Sequence, residues 1–312
     1  VVQLLREAGV PNDVLHFLPG DGARLGAAML RDPRLAGVAF TGSTGTALHI
    51  NRQLARRDGP IPVLIAETGG QNVLIADSSA LPEQLVQDAA YSAFNSAGQR
   101  CSALRVLYVQ QEIADRVLTL LRGWMDQLVV GDPMDIATDV GPVIDANARE
   151  MLERHVRTMG RGGRLLHRCA PQRAAGAGHY VLPALLEIGG IGDLPREVFG
   201  PVLHVVRYGA GELDRVIDDV NRSGYGLTLG VHSRIAATAD RVVRRARVGN
   251  VYVNRNMIGA VVGSQPFGGR GLSGTGPKAG GPHYLPRFAA EQTCTINTSA
   301  IGGNASLLTL AR

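Results

Sequence analysis

Paired cysteines, lysine and long apolar runs are what this chain lacks. Its three cysteines, Cys101, Cys169 and Cys294, are an odd number without paired spacing. That excludes a disulfide framework and a CxxC metal site, and it predicts a reducing, cytoplasmic compartment. No apolar stretch approaches the ~20 residues of a membrane helix. Lys278 is the single lysine, and the arginines are scattered at helical spacing with no basic block interleaved with aromatics. The net charge of +5 therefore reads as a solvated surface and not as a nucleic-acid interface. None of the eight histidines stands in a spacing such as HExxH, so no metal is expected. The first residues, from Val1 to Ala8, carry neither an initiator Met nor a signal-peptide layout. They read as a helix entered midway, which predicts a fragment of a longer protein.

What is there is an ordinary soluble composition, 45% hydrophobic and 19% charged over 312 residues, long enough for two domains. The 40 glycines gather in short motifs, where a backbone must turn sharply or lie against a ligand. Strand-like and helix-like stretches alternate. Helix is predicted over 1–9, 23–31, from Gly42 to about Arg57, and over 82–97, 112–128, 145–159, 212–222 and 236–247. Strand is predicted over 14–18, 37–41, 62–66, 72–76, 104–109, 180–188, 202–208, 227–232 and 250–254. This alternation argues for an α/β fold with a parallel sheet. In the helix over 145–159, Ile144, Met151, Leu152, His155 and Met159 fall roughly on one face. Arg168 to Gly178 is polar and Gly-rich, a surface loop, and the alternation at 293–297 marks an edge or exchanged strand.

Five motifs carry chemistry, each beside a plainer alternative. Gly42-Ser43-Thr44-Gly45 follows a strand and opens a helix, where free N–H groups suit a phosphate. Ala47 replaces the last glycine of a dinucleotide fingerprint, so an ordinary capped turn competes evenly. Cys101 follows Gly98-Gln99-Arg100 in a polar loop. As a nucleophile its thiol needs a depressed pKa, which Arg100 or helix dipoles can supply, and the alternative is an inert buried Cys. Glu67 ends an apolar strand and precedes Gly69-Gly70, at the carboxyl end where open α/β sheets bind ligands. Partial burial there raises a carboxyl toward a working base, and the alternative is a structural turn cap. Glu197-Val198-Phe199-Gly200-Pro201 offers a carboxylate for a ribose and a ring to shield a cofactor, or else a plain strand connection. Pro266-Phe267-Gly268-Gly269 closes a Gly-rich loop that either presents N–H groups to an anion or serves as a flexible linker.

In this order and spacing the five motifs resemble the aldehyde dehydrogenase superfamily, and they span nearly the whole chain. The stretches Ala66–Asn72, Ala97–Arg105 and Gly274–Pro282, with the tail 297–308, are similar to the subgroup formed by the aldehyde dehydrogenase part of proline utilization A. Thr68, where most of the superfamily has Leu, points the same way. The resemblance implies a partial Rossmann-type cofactor domain over 1–67 and a catalytic domain over 68–276. It also implies a helix over 277–290 returning toward the cofactor domain, and an oligomerisation strand and tail over 291–312.

The activity so implied is NAD-dependent oxidation of L-glutamate γ-semialdehyde, the open form of pyrroline-5-carboxylate, to L-glutamate. Cys101 would be the nucleophile, and Glu67 the base that activates water against the thioester. Gly42 and Ser43 match the pyrophosphate contact, Glu197 and Phe199 the nicotinamide-ribose contacts. Ser102 and the backbone of Gly259 and Ala260 match the anchors of the substrate's α-carboxylate, and Phe267 the aromatic wall beside its aliphatic part. The resemblance further implies a homo-oligomer through the tail and no nucleic-acid contact from this segment. FAD is expected only in a proline dehydrogenase domain that this chain does not contain, and any peripheral membrane association only in the full-length enzyme. The adenosine-ribose residues and the oxyanion Asn lie upstream in the family, so the chain alone is expected to bind NAD weakly and to be inactive. Two alternatives stay open: a dehydrogenase for another acidic semialdehyde, such as succinate semialdehyde, and a non-catalytic nucleotide-binding or assembly module.

Overall fold

The computed structural model describes residues 1–170 and 178–297. In chain order its elements are α1 (Val2–Glu7), α2 (Gly22–Arg31), β1 (Gly37–Thr41), α3 (Thr44–Ala55), β2 (Val63–Glu67), β3 (Asn72–Ala76), α4 (Pro82–Phe94), β4 (Leu104–Gln110), α5 (Gln111–Met125) and α6 (Ala146–Met159). They continue with β5 (Leu165–Arg168), β6 (Ala184–Glu187), β7 (Val202–Tyr208), α7 (Leu213–Arg222), β8 (Tyr225–Gly226), β9 (Thr228–His232), α8 (Ala236–Arg245), β10 (Asn250–Val253) and β11 (Arg270–Gly271). The α/β class expected from the alternation is the one adopted.

Seven strands form the main sheet in the order β10-β9-β3-β4-β7-β6-β5, parallel except for the antiparallel edge strand β5. Both faces of this sheet are covered, which is why its strands read as continuous apolar runs instead of alternating ones. Leu74 and Ala76 of β3 point into a core shared with α4 and α5, while Val73 and Ile75 point into one shared with α7 and α8. Each fully buried Leu, Val or Ile among them contributes about 1.5–3 kcal/mol relative to exposure. A separate pair, β1 and β2, runs parallel in the register Thr41↔Glu67 and packs α2 and α3 through Leu30, Ile50 and Leu54.

The segment that follows β11 docks on the small sheet. The hydroxyls of Thr44 and Thr68 donate to the carbonyl of Leu272 at 3.1 and 2.6 Å, and the Thr275 hydroxyl accepts from the Ala66 N–H at 2.9 Å. On its other side the Ser273 hydroxyl accepts from the Gly226 N–H of β8 at 3.0 Å, so the segment 272–275 bridges the small sheet and the antiparallel β8–β11 pair, at the end of β2 that carries Glu67.

Several expectations are corrected. Residues 14–18 form no strand, and Val14, Phe17 and Leu18 are exposed; among the described residues no partner strand pairs with them. Ile144 lies before the Asp145 cap of α6 and is 82% exposed, and Met151 sits on the flank; the inward stripe is Leu152, His155, Val156 and Met159. The strand expected over 180–188 is confined to β6, because Pro183 has no N–H to give a ladder. Edge strand β5 lies where a helix-to-loop passage was expected. In place of a helix over 277–290 there is a single 3₁₀ turn, Leu285–Phe288, and residues 291–297 pair with no strand among the described residues. Most of the loop expected to run from Arg168 to Gly178, and the tail beyond Asn297, lie outside the described residues.

Candidate active site

The loop that carries Cys101 is set up by an unusual turn. After α4 the backbone takes left-handed values at Ser96, Ala97 and Gly98 in succession, with φ of 55°, 52° and 65°. For Ser96 and Ala97 each such residue costs roughly 1–2 kcal/mol, strain that gathers at sites the surrounding structure over-determines. Gly98 has no substitute, since a Cβ there would lie 2.2 Å from the Gly200 carbonyl oxygen.

What holds this loop down is a set of buried polar side chains. The Asn72 amide donates to the carbonyls of Cys101 and Ala103 at 2.6 and 2.8 Å and accepts from the Thr228 N–H at 3.1 Å. The Thr228 hydroxyl donates to the Ser102 carbonyl at 3.3 Å. Arg105, 1% exposed, donates to the carbonyls of Gly98, Arg100 and Gly200 and forms an ion pair with Glu197 at 3.0 Å. Its guanidinium carbon stands 5.2 Å from the centre of the Phe199 ring. Cys101, Glu197 and Phe199, far apart in sequence, thus meet around one arginine. Arg105 is the residue that sequence reasoning missed. The available signal was a charge inside the apolar strand Leu104–Val109, which cannot be buried without a partner.

Glu67 approaches from the other sheet. One carboxylate oxygen accepts from the Gly269 N–H at 3.3 Å, while the other is buried without a partner. A Cβ at Gly268 would sit 2.7 Å from that second oxygen, so the Phe267-Gly268-Gly269 turn is shaped around the carboxyl. Burial raises the Glu67 carboxyl to about 7, against the opposing pull of the Gly269 N–H and of the Lys278 ammonium. Lys278 itself donates to the Gly249 carbonyl.

The thiol corrects an expectation. Burial first, then the negative charge of Glu197 and more weakly of Glu67, push the Cys101 thiol up, against a smaller lowering by the Ser102 N–H. Arg100 does not depress it, because its guanidinium turns away to donate to the Ser96 hydroxyl at 3.0 Å. Burial likewise dominates the ion pair, raising Glu197 and lowering Arg105, with each partner pulling the other back.

The remaining candidates divide. Gly42 lies next to Glu67, its N–H donating to the Glu67 carbonyl at 3.1 Å. Ser43 caps α3, accepting from the Thr46 N–H at 3.1 Å, and leaves first-turn N–H groups facing outward. Ser102 is buried beside Cys101, and Phe267 bridges to Ala279 next to Glu67. Gly259, left-handed at φ 72°, and Ala260 lie on the loop after β10 and make no hydrogen bond to the Cys101 loop among the described residues.

The aldehyde dehydrogenase family profile matches residues 1–294. The chain belongs to the aldehyde dehydrogenase family. It is 54% identical over 300 residues to the bifunctional protein PutA of Escherichia coli, covering 93% of this chain and 23% of that protein. It is 36% identical to the 1-pyrroline-5-carboxylate dehydrogenase of Geobacillus kaustophilus, covering 91% of this chain and 55% of that one. A solved structure of proline utilization A from Bradyrhizobium japonicum, a D779Y mutant, superposes with a TM-score of 0.92 at 57% identity, over 96% of this chain and 30% of its own. The 1-pyrroline-5-carboxylate dehydrogenase from Thermus with bound NAD does so at 0.85 and 33% identity, over 92% of this chain and 55% of its own. This family member thus spans about a quarter of the PutA relatives and about half of the shorter dehydrogenases. Among the described residues no helix is long and apolar enough to cross a membrane, and no cluster of His, Cys, Asp or Glu could hold a metal ion.

Proposed function

We propose that this segment is the catalytic part of an NAD-dependent dehydrogenase that oxidises L-glutamate γ-semialdehyde to L-glutamate. The observation that carries the reading is the meeting of a half-buried thiol with two carboxylates in different surroundings. Glu67 stands at about 7, poised to take a proton at neutral pH, while Glu197 is ion-paired to Arg105. The substrate class is supported by the relatives named PutA and 1-pyrroline-5-carboxylate dehydrogenase, and the cofactor by the Thermus structure with bound NAD.

The residues present fit a dinucleotide. Gly69 leaves room beside Glu197 that any side chain would fill, since a Cβ there would lie 1.8 Å from its Oε2. Glu197 is assigned to the nicotinamide ribose, Phe199 to the ring, and Gly42 and Ser43 to the pyrophosphate, where the first-turn N–H groups of α3 supply partial positive charge. When bound, NAD supplies the hydride acceptor.

The rest is done by this chain. The Cys101 thiolate adds to the aldehyde carbon, forming a C–S bond and an oxyanion for which the Cys101 N–H is the donor in this chain. After hydride loss from that carbon a thioester remains on Cys101. Glu67 takes a proton from water as the water oxygen attacks the thioester carbon. The C–S bond breaks, the thiolate is restored and the acid leaves. Ser102 and the N–H groups of Gly259 and Ala260 are assigned to the substrate's α-carboxylate, and Phe267 to its methylenes.

The division into a cofactor part over 1–67 and a catalytic part over 68–276 is supported by the separation of the β1–β2 pair from the seven-stranded sheet. A homo-oligomer built through the tail, with no further cofactor on this segment, completes the reading. The test compares L-glutamate γ-semialdehyde with succinate semialdehyde in a full-length protein carrying this segment. Preference for the former, lost in Cys101→Ala, is expected; preference for succinate semialdehyde would sink the assignment.

A further inference from the structure

We propose that Arg105 is a positioning residue that locks the Cys101 loop and Glu197 into one unit, so that a change at Glu197 is felt at the sulfur. The inference rests on the proposed role of Cys101 as nucleophile and on the geometry of one guanidinium. Nη1 donates to the Gly98 carbonyl at 2.7 Å and the Gly200 carbonyl at 3.3 Å. Nη2 donates to the Arg100 carbonyl at 3.0 Å and to Glu197 Oε1 at 3.0 Å. Two of these carbonyls flank Gln99 in the turn before Cys101, while the third and the carboxylate belong to the connection that leads into β7. A planar fork with five donors can hold four such acceptors at once, and a lysine ammonium on a flexible stem cannot.

The arginine is itself fixed from behind. Its main-chain carbonyl takes a hydrogen bond from His204 Nδ1 at 3.0 Å, and His204 Nε2 lies 2.9 Å from His155 Nε2. A carbonyl only accepts, so the His204 proton sits on Nδ1. Its bare Nε2 then accepts from His155, which anchors the array to α6. His204 is fully buried, and burial holds it down at about 3, so it stays neutral and keeps this tautomer across the working pH range.

The charged groups facing the sulfur are Glu197 from the connection before β7, Glu67 from the end of β2 and Arg105 from β4. Arg100 is turned to Ser96, and Lys278 faces Glu67. Glu197 and Arg105 carry opposite charges beside the thiolate, and their ion pair fixes where each charge stands relative to the sulfur. Removing either charge, or loosening the fork that sets their distance, changes how readily the thiol ionises.

The test is the pH profile of Cys101 alkylation by iodoacetamide in this chain, read by peptide mass mapping, with Cys169 and Cys294 as internal references. Glu197→Gln keeps the shape of the side chain and is expected to move the Cys101 midpoint down by about one pH unit or more. Arg105→Lys keeps the charge but not the fork and is expected to move it up. A role in stability alone would shift melting and leave the midpoint of the folded protein in place. An unchanged midpoint in folded Arg105→Lys overturns the proposal, and so does an unchanged midpoint in Glu197→Gln, which decides if Arg105→Lys does not fold. The wild-type rate of Cys101 relative to Cys169 reports separately on the nucleophile assignment: equal rates would sink that reading, while the midpoint shift still decides the clamp.

Discussion

Replacing Glu67 with Gln should make the protein more stable at neutral and alkaline pH, and the gain should vanish in acid. The carboxyl is raised from 4.5 to about 7 by burial, so the folded state disfavours its charged form. A group raised in the folded state contributes stability that is fully present below the unfolded value of 4.5. That contribution is lost as pH rises through about 7. The span corresponds to about 3 kcal/mol at 1.36 kcal/mol per pH unit. Because the side chain is only partly buried, solvent screening reduces this to about 1–2 kcal/mol. The neutral amide of Gln carries no such dependence. Chemical denaturation of wild type and Glu67→Gln at pH 5 and pH 8 measures it. The variant should gain about 1–2 kcal/mol on wild type between the two conditions, while losing hydrolysis of the thioester. A stability difference that is the same at both pH values would refute the reasoning, because it would mean that Glu67 is as well solvated folded as unfolded.

Other outcomes follow from the same geometry. Gly98→Ala should destabilise the fold by about 2–4 kcal/mol, since the new Cβ would lie 2.2 Å from the Gly200 carbonyl oxygen on a left-handed backbone; a denaturant midpoint like that of wild type would contradict it. Gly69→Ala should displace Glu197, whose Oε2 would be 1.8 Å from the added methyl, and raise the NAD concentration needed for half-saturation at least tenfold in a full-length protein. Asn72→Ala should cost about 2–4 kcal/mol, because it strands the buried carbonyls of Cys101 and Ala103 and the Thr228 N–H. Circular dichroism melts would measure that loss. If Glu67 is the base, release of acid from Cys101 should rise with pH through about 7, and single-turnover hydrolysis across that range would show it.

The elements that bury an apolar stripe were the legible part of the fold. β3 and β4, with α4 and α5 against them, follow directly from apolar runs bounded by turns, because their burial is decided locally. Residues 14–18 misled for the converse reason: an apolar pentamer becomes a strand only if another strand pairs with it, and none of the described ones does. The left-handed run Ser96-Ala97-Gly98 could not be foreseen, since only the glycine announces it. At the site, the positions of Glu67 and Cys101 were legible from glycines and strand ends. Their electrostatics were legible for the carboxyl alone, because its burial follows from an apolar strand end. The thiol's surroundings depend on Glu197, brought in from far along the chain, and on the turning away of Arg100 toward Ser96. Arg105 was visible only as an oddity, a charge in an apolar strand, until its four acceptors were assembled around it.

The most direct test of the central claim is to trap the covalent intermediate. The Glu67→Gln variant of a full-length protein carrying this segment is incubated with L-glutamate γ-semialdehyde and NAD, quenched in acid and mapped by mass spectrometry. An acyl adduct on the peptide containing Cys101, accumulating in the variant and absent from wild type, is the predicted result. No adduct at Cys101, or one at Cys169 or Cys294, would contradict the assignment of nucleophile and base.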